Sequence, residues 1–227
     1  MNADIHANSV PKSGTRRTIL KWSATGALVG VAASGGLRIP GFGMTPAFAA
    51  DLGTGDIGIL NYAYALEQLE AAFYSKVIET PYADITEAET AILTDIRDHE
   101  IAHRDFLKTA LAADAIPDLE VDFSAVDFGD RMAVLTTAQT FEDIGVSAYN
   151  GAGQMLTNPE YLLAAGRIVS VEARHSAAIR NLVSPDSVAF AGPDVVDNNG
   201  LDVVRAPAEV LALADPFIVT EVTAMNL

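Results

Sequence analysis

Leu93-Thr94-Asp95-Ile96-Arg97-Asp98-His99-Glu100-Ile101-Ala102-His103-Arg104-Asp105-Phe106-Leu107, residues 93–107, carries apolar side chains at intervals of three and four, the period of an amphipathic helix. Leu93, Ile96, Leu107 and, just beyond, Leu111 mark its inward stripe, and Glu100 and His103 stand on that same stripe. A buried carboxylate without a partner is costly, so something must meet it there. The arrangement recurs in Glu172-Ala173-Arg174-His175, on a stripe of Leu162, Ala165, Ile168, Ile179 and Leu182.

Two further helical patterns each add one acid. One stripe reads Leu60, Ala63, Tyr64, Glu67, Ala71, Tyr74 and Ile78; another reads Leu135, Ala138, Glu142, Val146, Tyr149 and Leu156. Glu67 and Glu142 are each followed seven residues later by a tyrosine, Tyr74 and Tyr149. The halves therefore repeat as Glu-x6-Tyr and then Glu-x-x-His, at offsets of 75 and 72 residues, which marks the duplication of a site.

Boundary signals place the four helices. The first is predicted from Asp56 to Ile78, stopped by Thr80-Pro81. Thr86 and Glu89 form a capping box that opens the second, which runs to about Ala113. Asp130 caps the third, ending near Leu156, and Asn158-Pro159 starts the fourth, which fades at Ser184-Pro185. Between the pairs, Asp114–Gly129 contains Pro117 and no helical period. Sixteen extended residues reach about 55 Å, more than the roughly 40 Å of a 27-residue helix, so this segment can cross the bundle. The fold class is all-α: residues 50–184 form a four-helix bundle of two antiparallel pairs joined by a long crossover, the topology of ferritin-like proteins. Residues 185–227 are expected to be an irregular tail packing on the bundle, with one short helix over Ala206–Ala214.

Four acids converging in one core repel each other, and two divalent cations with neutral imidazoles balance them. The candidate metal ligands are Glu67, Glu100, His103, Glu142, Glu172 and His175. Glu70, one turn from Glu67, also faces inward, as an additional ligand or as the one used in its place. Tyr74 and Tyr149 are either plain core residues or else donors behind the ligands or radical sites. His99, about 100° round the helix from Glu100, is expected to be exposed rather than a ligand. The chain has no cysteine, which excludes disulfides, thiolate metal sites and cysteine nucleophiles. Iron and manganese both accept such oxygen and nitrogen ligands, and no catalytic residue is assigned.

Glu67, Glu100-x-x-His103, Glu142 and Glu172-x-x-His175 resemble, one for one, the ligands of the ferritin-like di-iron and di-manganese superfamily. Leu60-Asn61, with Glu67 and Tyr74 following, is similar to the first-helix pattern of bacterioferritins. The resemblance is closest to the ferritin-like domain family that includes desiccation-related proteins, through Leu66-Glu67-x-x-Glu70-Ala71-x-Phe73-Tyr74, Phe141-Glu142-Asp143-x-Gly145-Val146-x-Ala148-Tyr149 and Pro185-Asp186-x-x-x-Phe190. It implies Glu67 and Glu142 as terminal or chelating ligands, Glu100 and Glu172 as bridges, and His103 and His175 as terminal nitrogen ligands to two iron or manganese ions. It also implies chemistry on oxygen or peroxide. The alternative it implies is a desiccation or stress protein without turnover; iron storage in a cage is less favoured, because no cage contact is readable. Many members place an acid just before each Glu-x-x-His, where this chain has His99 and Val171.

Thr15-Arg16-Arg17-Thr18-Ile19-Leu20-Lys21 resembles the twin-arginine export signal, followed by a Gly- and Ala-rich stretch and by Ala47-Phe48-Ala49, a small-x-small cleavage pattern. Residues 1–49 are thus expected to be a signal peptide and the product periplasmic or extracellular. The sixteen residues from Trp22 to Leu37 include four glycines and fall short of the roughly 20 apolar residues of a membrane span. From Ala50 onward nine basic residues face 29 acidic ones, a net charge of −20. Such a surface repels nucleic acid and anionic membrane and attracts cations. Whether the protein is a homo-oligomer is left open.

Overall fold

The computed structural model describes residues 49–224 and 227. The signal peptide expected over residues 1–49 lies outside the described residues, apart from Ala49. Helices α1 (Gly55–Glu79), α2 (Glu87–Leu111), α3 (Arg131–Gly153) and α4 (Pro159–Val183) form the bundle, and α5 (Pro207–Ala214) follows in the tail. Strands β1 (Ala50–Asp51) and β2 (Val222–Thr223) add one short parallel pairing outside it.

The helix starts follow from side-chain chemistry. Thr86 accepts from the Glu89 amide while the Glu89 carboxylate reaches back to the Thr86 amide, the reciprocal box read from sequence. Asp130 accepts from Ala133 N and Asn158 from Glu160 N, each satisfying an amide that has no partner within its helix. Helix α3 ends three residues short of the expected Leu156. The Asp56 carboxylate explains this: it accepts from Thr157 N and Asn158 N and ties the α3–α4 turn to the start of α1. The first turn of α2 is tied to α3 in turn, through Arg131 Nε donating to Glu89 Oε1.

Helices α1 and α3 lie inside, α2 and α4 outside. Buried residues number 17 of 25 in α1 and 13 of 23 in α3, against 6 of 25 in each of α2 and α4. A single inward stripe cannot account for α1, and a second cover does. The crossover lies along its back: Asn61 bonds Asp114 O and Ile116 N, Tyr64 Oη donates to Asp118, and Gln68 Oε1 accepts from Leu119 N. Phe73 then meets Phe123 and Phe128. Tyr64, read from sequence as facing the bundle core, therefore faces the crossover.

The tail covers α3 in the same way. Arg205 N donates to Ser147 O, Asn150 Nδ2 to Val203 O, and the buried Arg180 joins Asp143 to the exposed Asp194. Gly151 makes this seat: a Cβ there would lie 1.8 Å from Arg205 O, which no side chain permits.

Candidate metal centre

At mid-height every helix turns one acid into the core, and Glu67, Glu100, Glu142 and Glu172 are all fully buried. His175 is buried and His103 nearly so. Donor atoms of these six residues fall into two groups, each within 4.8 Å of one another: Glu67, Glu100, His103 and Glu172 form one; Glu100, Glu142, Glu172 and His175 form the other. The two groups share Glu100 and Glu172. Such a donor set would permit two cations, with Glu100 and Glu172 available to both and one further Glu and one His at either end.

Both histidines face the acids through Nδ1. His175 Nδ1 lies 2.7 Å from Glu100 Oε1 and 3.6 Å from Glu142 Oε2; His103 Nδ1 lies 2.9 Å from Glu172 Oε1 and 3.5 Å from Glu67 Oε2. Each histidine thus approaches the bridging acid of the opposite helix pair. These separations are short, yet neither Nδ1 makes a hydrogen bond, nor do both oxygens of Glu100 and Glu172, Glu67 Oε2 and Glu142 Oε2. Eight buried polar atoms without partners at one spot would cost several kcal/mol if nothing met them. Two divalent cations would satisfy all eight with no new hydrogen bond, so the residues present fit the group.

Glu67 and Glu142 use their remaining oxygens. Tyr149 Oη donates to Glu67 Oε1 and Tyr74 Oη to Glu142 Oε1. Each tyrosine follows one acid in sequence and bonds the other, so the duplicated Glu-x6-Tyr unit closes crosswise between α1 and α3. Both tyrosines thus donate to candidate ligands from within the core. Burial pushes both phenols well above their usual range, with the neighbouring carboxylates adding to it, so they stay protonated and donate.

Without an ion, protons take over the charge balance. Burial lifts Glu67 to about 8 and pushes Glu142 and Glu172 up. For Glu100, burial is outweighed by His103 and His175, which hold it at about 2. Burial would lower both imidazoles, but the surrounding carboxylates raise His103 to about 12 and His175 to about 11.

Glu70 is buried and belongs to neither group. It sits beside Glu172 across Gly145, where a Cβ would lie 3.0 Å from Glu70 Oε1 and 3.2 Å from Glu172 Oε2. Burial first, then the charge of Glu172, raises its pKa well above the usual range, so it stands as a neutral acid beside the cluster. His99 is half-buried, with its side chain 45% exposed, rather than fully exposed as expected, and it belongs to neither group. Its Nδ1 nevertheless lies 3.0 Å from His175 Nε2, a contact that helical angle alone could not reveal. The available signal was its place immediately before Glu100.

The pattern of the ferritin-like domain family matches residues 55–185, more than half of the chain. The chain belongs to that family. The matched ferritin-like domain spans all four bundle helices, from the first residue of α1 to just past α4, and contains every candidate ligand. No curated protein matches the chain. Among the described residues, no helix of this ferritin-like protein is long and apolar enough to cross a membrane.

Proposed function

We propose that this ferritin-like domain is an exported di-metal oxidoreductase of the ferroxidase-like or peroxide-consuming kind. The observation that carries the reading is the pair of four-residue donor groups sharing Glu100 and Glu172, with eight buried polar atoms left without hydrogen bonds. Glu67 and Glu142 would hold the ions as terminal carboxylates, Glu100 and Glu172 would be shared between them, and His103 and His175 would supply the nitrogen ligands. Two iron or manganese ions, when bound, supply the electrons exchanged with oxygen or peroxide. The protein's part is positional and electrostatic. Tyr74 and Tyr149 hold one oxygen of each terminal carboxylate and leave the other for the ion. Four carboxylates match the charge of two divalent ions, and the dry core keeps bulk water from the site. The twin-arginine-like segment suits a passenger exported folded, with its ions already loaded.

The acidic surface favours a second reading, a desiccation or stress protein whose bundle holds ions without turnover. Purification from the native exporting host separates the two. Elemental analysis is expected to give about two iron or manganese ions per chain, and the loaded protein to oxidise ferrous ions or consume peroxide. Two ions without either activity would favour the second reading, and a metal-free native protein would overturn both.

A further inference from the structure

Besides Glu70, whose counterpart is Gly145, the duplicated site has an unduplicated neighbour on the outer helices. His99 and Val171 occupy equivalent places, each just before a Glu-x-x-His, and only His99 can form a hydrogen bond through its side chain. His99 Nδ1 lies 3.0 Å from His175 Nε2, and the ring planes differ by 10°. The ring centroids are 5.2 Å apart, close to the N···N separation plus the two ring radii. The contact therefore runs nearly along the line between centroids, within both rings. It is an edge-to-edge N–H···N bond rather than a face stack.

We infer that His99 is a positioning residue for one metal position only: it accepts the Nε2 proton of His175 and so makes the two positions unequal in affinity. This rests on the di-metal reading above. A His175 that gives its Nδ1 lone pair to a cation carries its ring proton on Nε2, and a partner for that proton fixes both the tautomer and the ring angle. His99 Nδ1 is that partner. Its own proton then sits on Nε2, which faces solvent and lies 4.0 Å from Asp95 Oδ1, one helical turn back. Asp95 favours this tautomer of His99, leaving Nδ1 free to accept. The path from core to surface thus runs His175, His99, Asp95, from buried to 45% and then 76% exposed. The equivalent place before the other Glu-x-x-His is held by Val171, whose alkyl side chain can accept no proton from an imidazole.

The test uses the full exported protein, stripped of metal and titrated with manganese or cobalt(II) by calorimetry. The wild type is expected to show two unequal binding steps. His99→Leu is expected to weaken the tighter step roughly 10–100-fold and leave the other within a few-fold, whereas His99→Asn, which keeps an acceptor, restores most of it. In the cobalt(II)-loaded protein, the paramagnetically shifted Nε2 proton of His175 is expected to exchange slowly in the wild type and fast in His99→Leu, a signature that mere loss of packing would not give. Equal affinities and unchanged proton exchange in His99→Leu, with two ions still bound, would overturn this inference alone. A wild type that binds neither ion would overturn it together with the reading on which it rests.

Discussion

The α1–α2 and α3–α4 pairs carry the same ligand plan and sit in different surroundings. Each supplies one Glu-x6-Tyr unit from an inner helix and one Glu-x-x-His from an outer one. The surroundings diverge at the tyrosines. Tyr74 abuts Phe73, which packs edge-on against Phe141 at 5.0 Å and gathers Phe123 and Phe128 from the crossover. Phe217 from the tail closes on Phe141 at 4.8 Å. Tyr149 instead borders an apolar cavity of about 20 Å³, where Ala63, Ala152 and Ala165 stand among larger side chains such as Leu66 and Ile168. The duplicated segments thus carry the ligands, while the unduplicated crossover and tail fill the Tyr74 side with aromatic rings and the cavity beside Tyr149 is lined by the bundle helices and the α3–α4 turn.

The strongest way to break this equivalence is through the shared acids. Glu100→Leu and Glu172→Leu remove a bridge from opposite halves, and each is expected to reduce bound metal from about two ions to none, read by elemental analysis. Without metal, Glu172→Leu is expected to be more stable than the wild type by about 1–3 kcal/mol in urea unfolding, because an unsatisfied buried acid has gone. One ion retained by either variant would show that the halves bind independently.

A smaller effect reads both halves through pH. A group whose folded pKa is raised stabilises fully below its unfolded pKa and loses that contribution as pH rises through the folded value. Glu67 spans 4.5 to about 8, while His103 and His175 begin at 6.5 and end near 12 and 11. Glu100 has the opposite sign, but its contribution is lost only as pH falls from 4.5 through about 2. The metal-free protein is therefore expected to lose about 1–3 kcal/mol between roughly pH 5.5 and pH 8 by urea unfolding. Metal affinity should rise over the same interval, since binding displaces those protons. A metal-free stability that climbs with pH would contradict the buried-proton picture.

The smallest effect sharpens the contrast between the tyrosines. Tyr149→Phe and Tyr74→Phe each free one carboxylate oxygen and are expected to weaken metal binding roughly 10-fold. The Phe-packed side should hold Glu142 in place better than the cavity side holds Glu67, so Tyr74→Phe is expected to have the milder effect. The reverse order in calorimetry would show that packing does not position these carboxylates.

The bundle was legible because its signals are local. Helical period and the caps at Thr86, Asp130 and Asn158 are written in neighbouring residues, and the duplicated Glu-x-x-His pointed to the cluster. What stayed hidden depends on distant chain. The second buried face of α1 exists only because the crossover returns along it, so Asn61, Tyr64 and Gln68 gave no sign of their partners. The crosswise tyrosine bonds and the His99–His175 contact join residues 68, 82 and 76 positions apart, beyond the reach of any periodicity.

The parallel pairing of Ala50–Asp51 with Val222–Thr223 brings the segment before α1 against the segment after α5. Between these two segments the described chain is therefore nearly a closed loop, and its order could be rewritten. A gene permuted so that a short linker joins these segments, with fresh termini opened in the exposed turn at 198–200, would encode the same bundle from a different starting point.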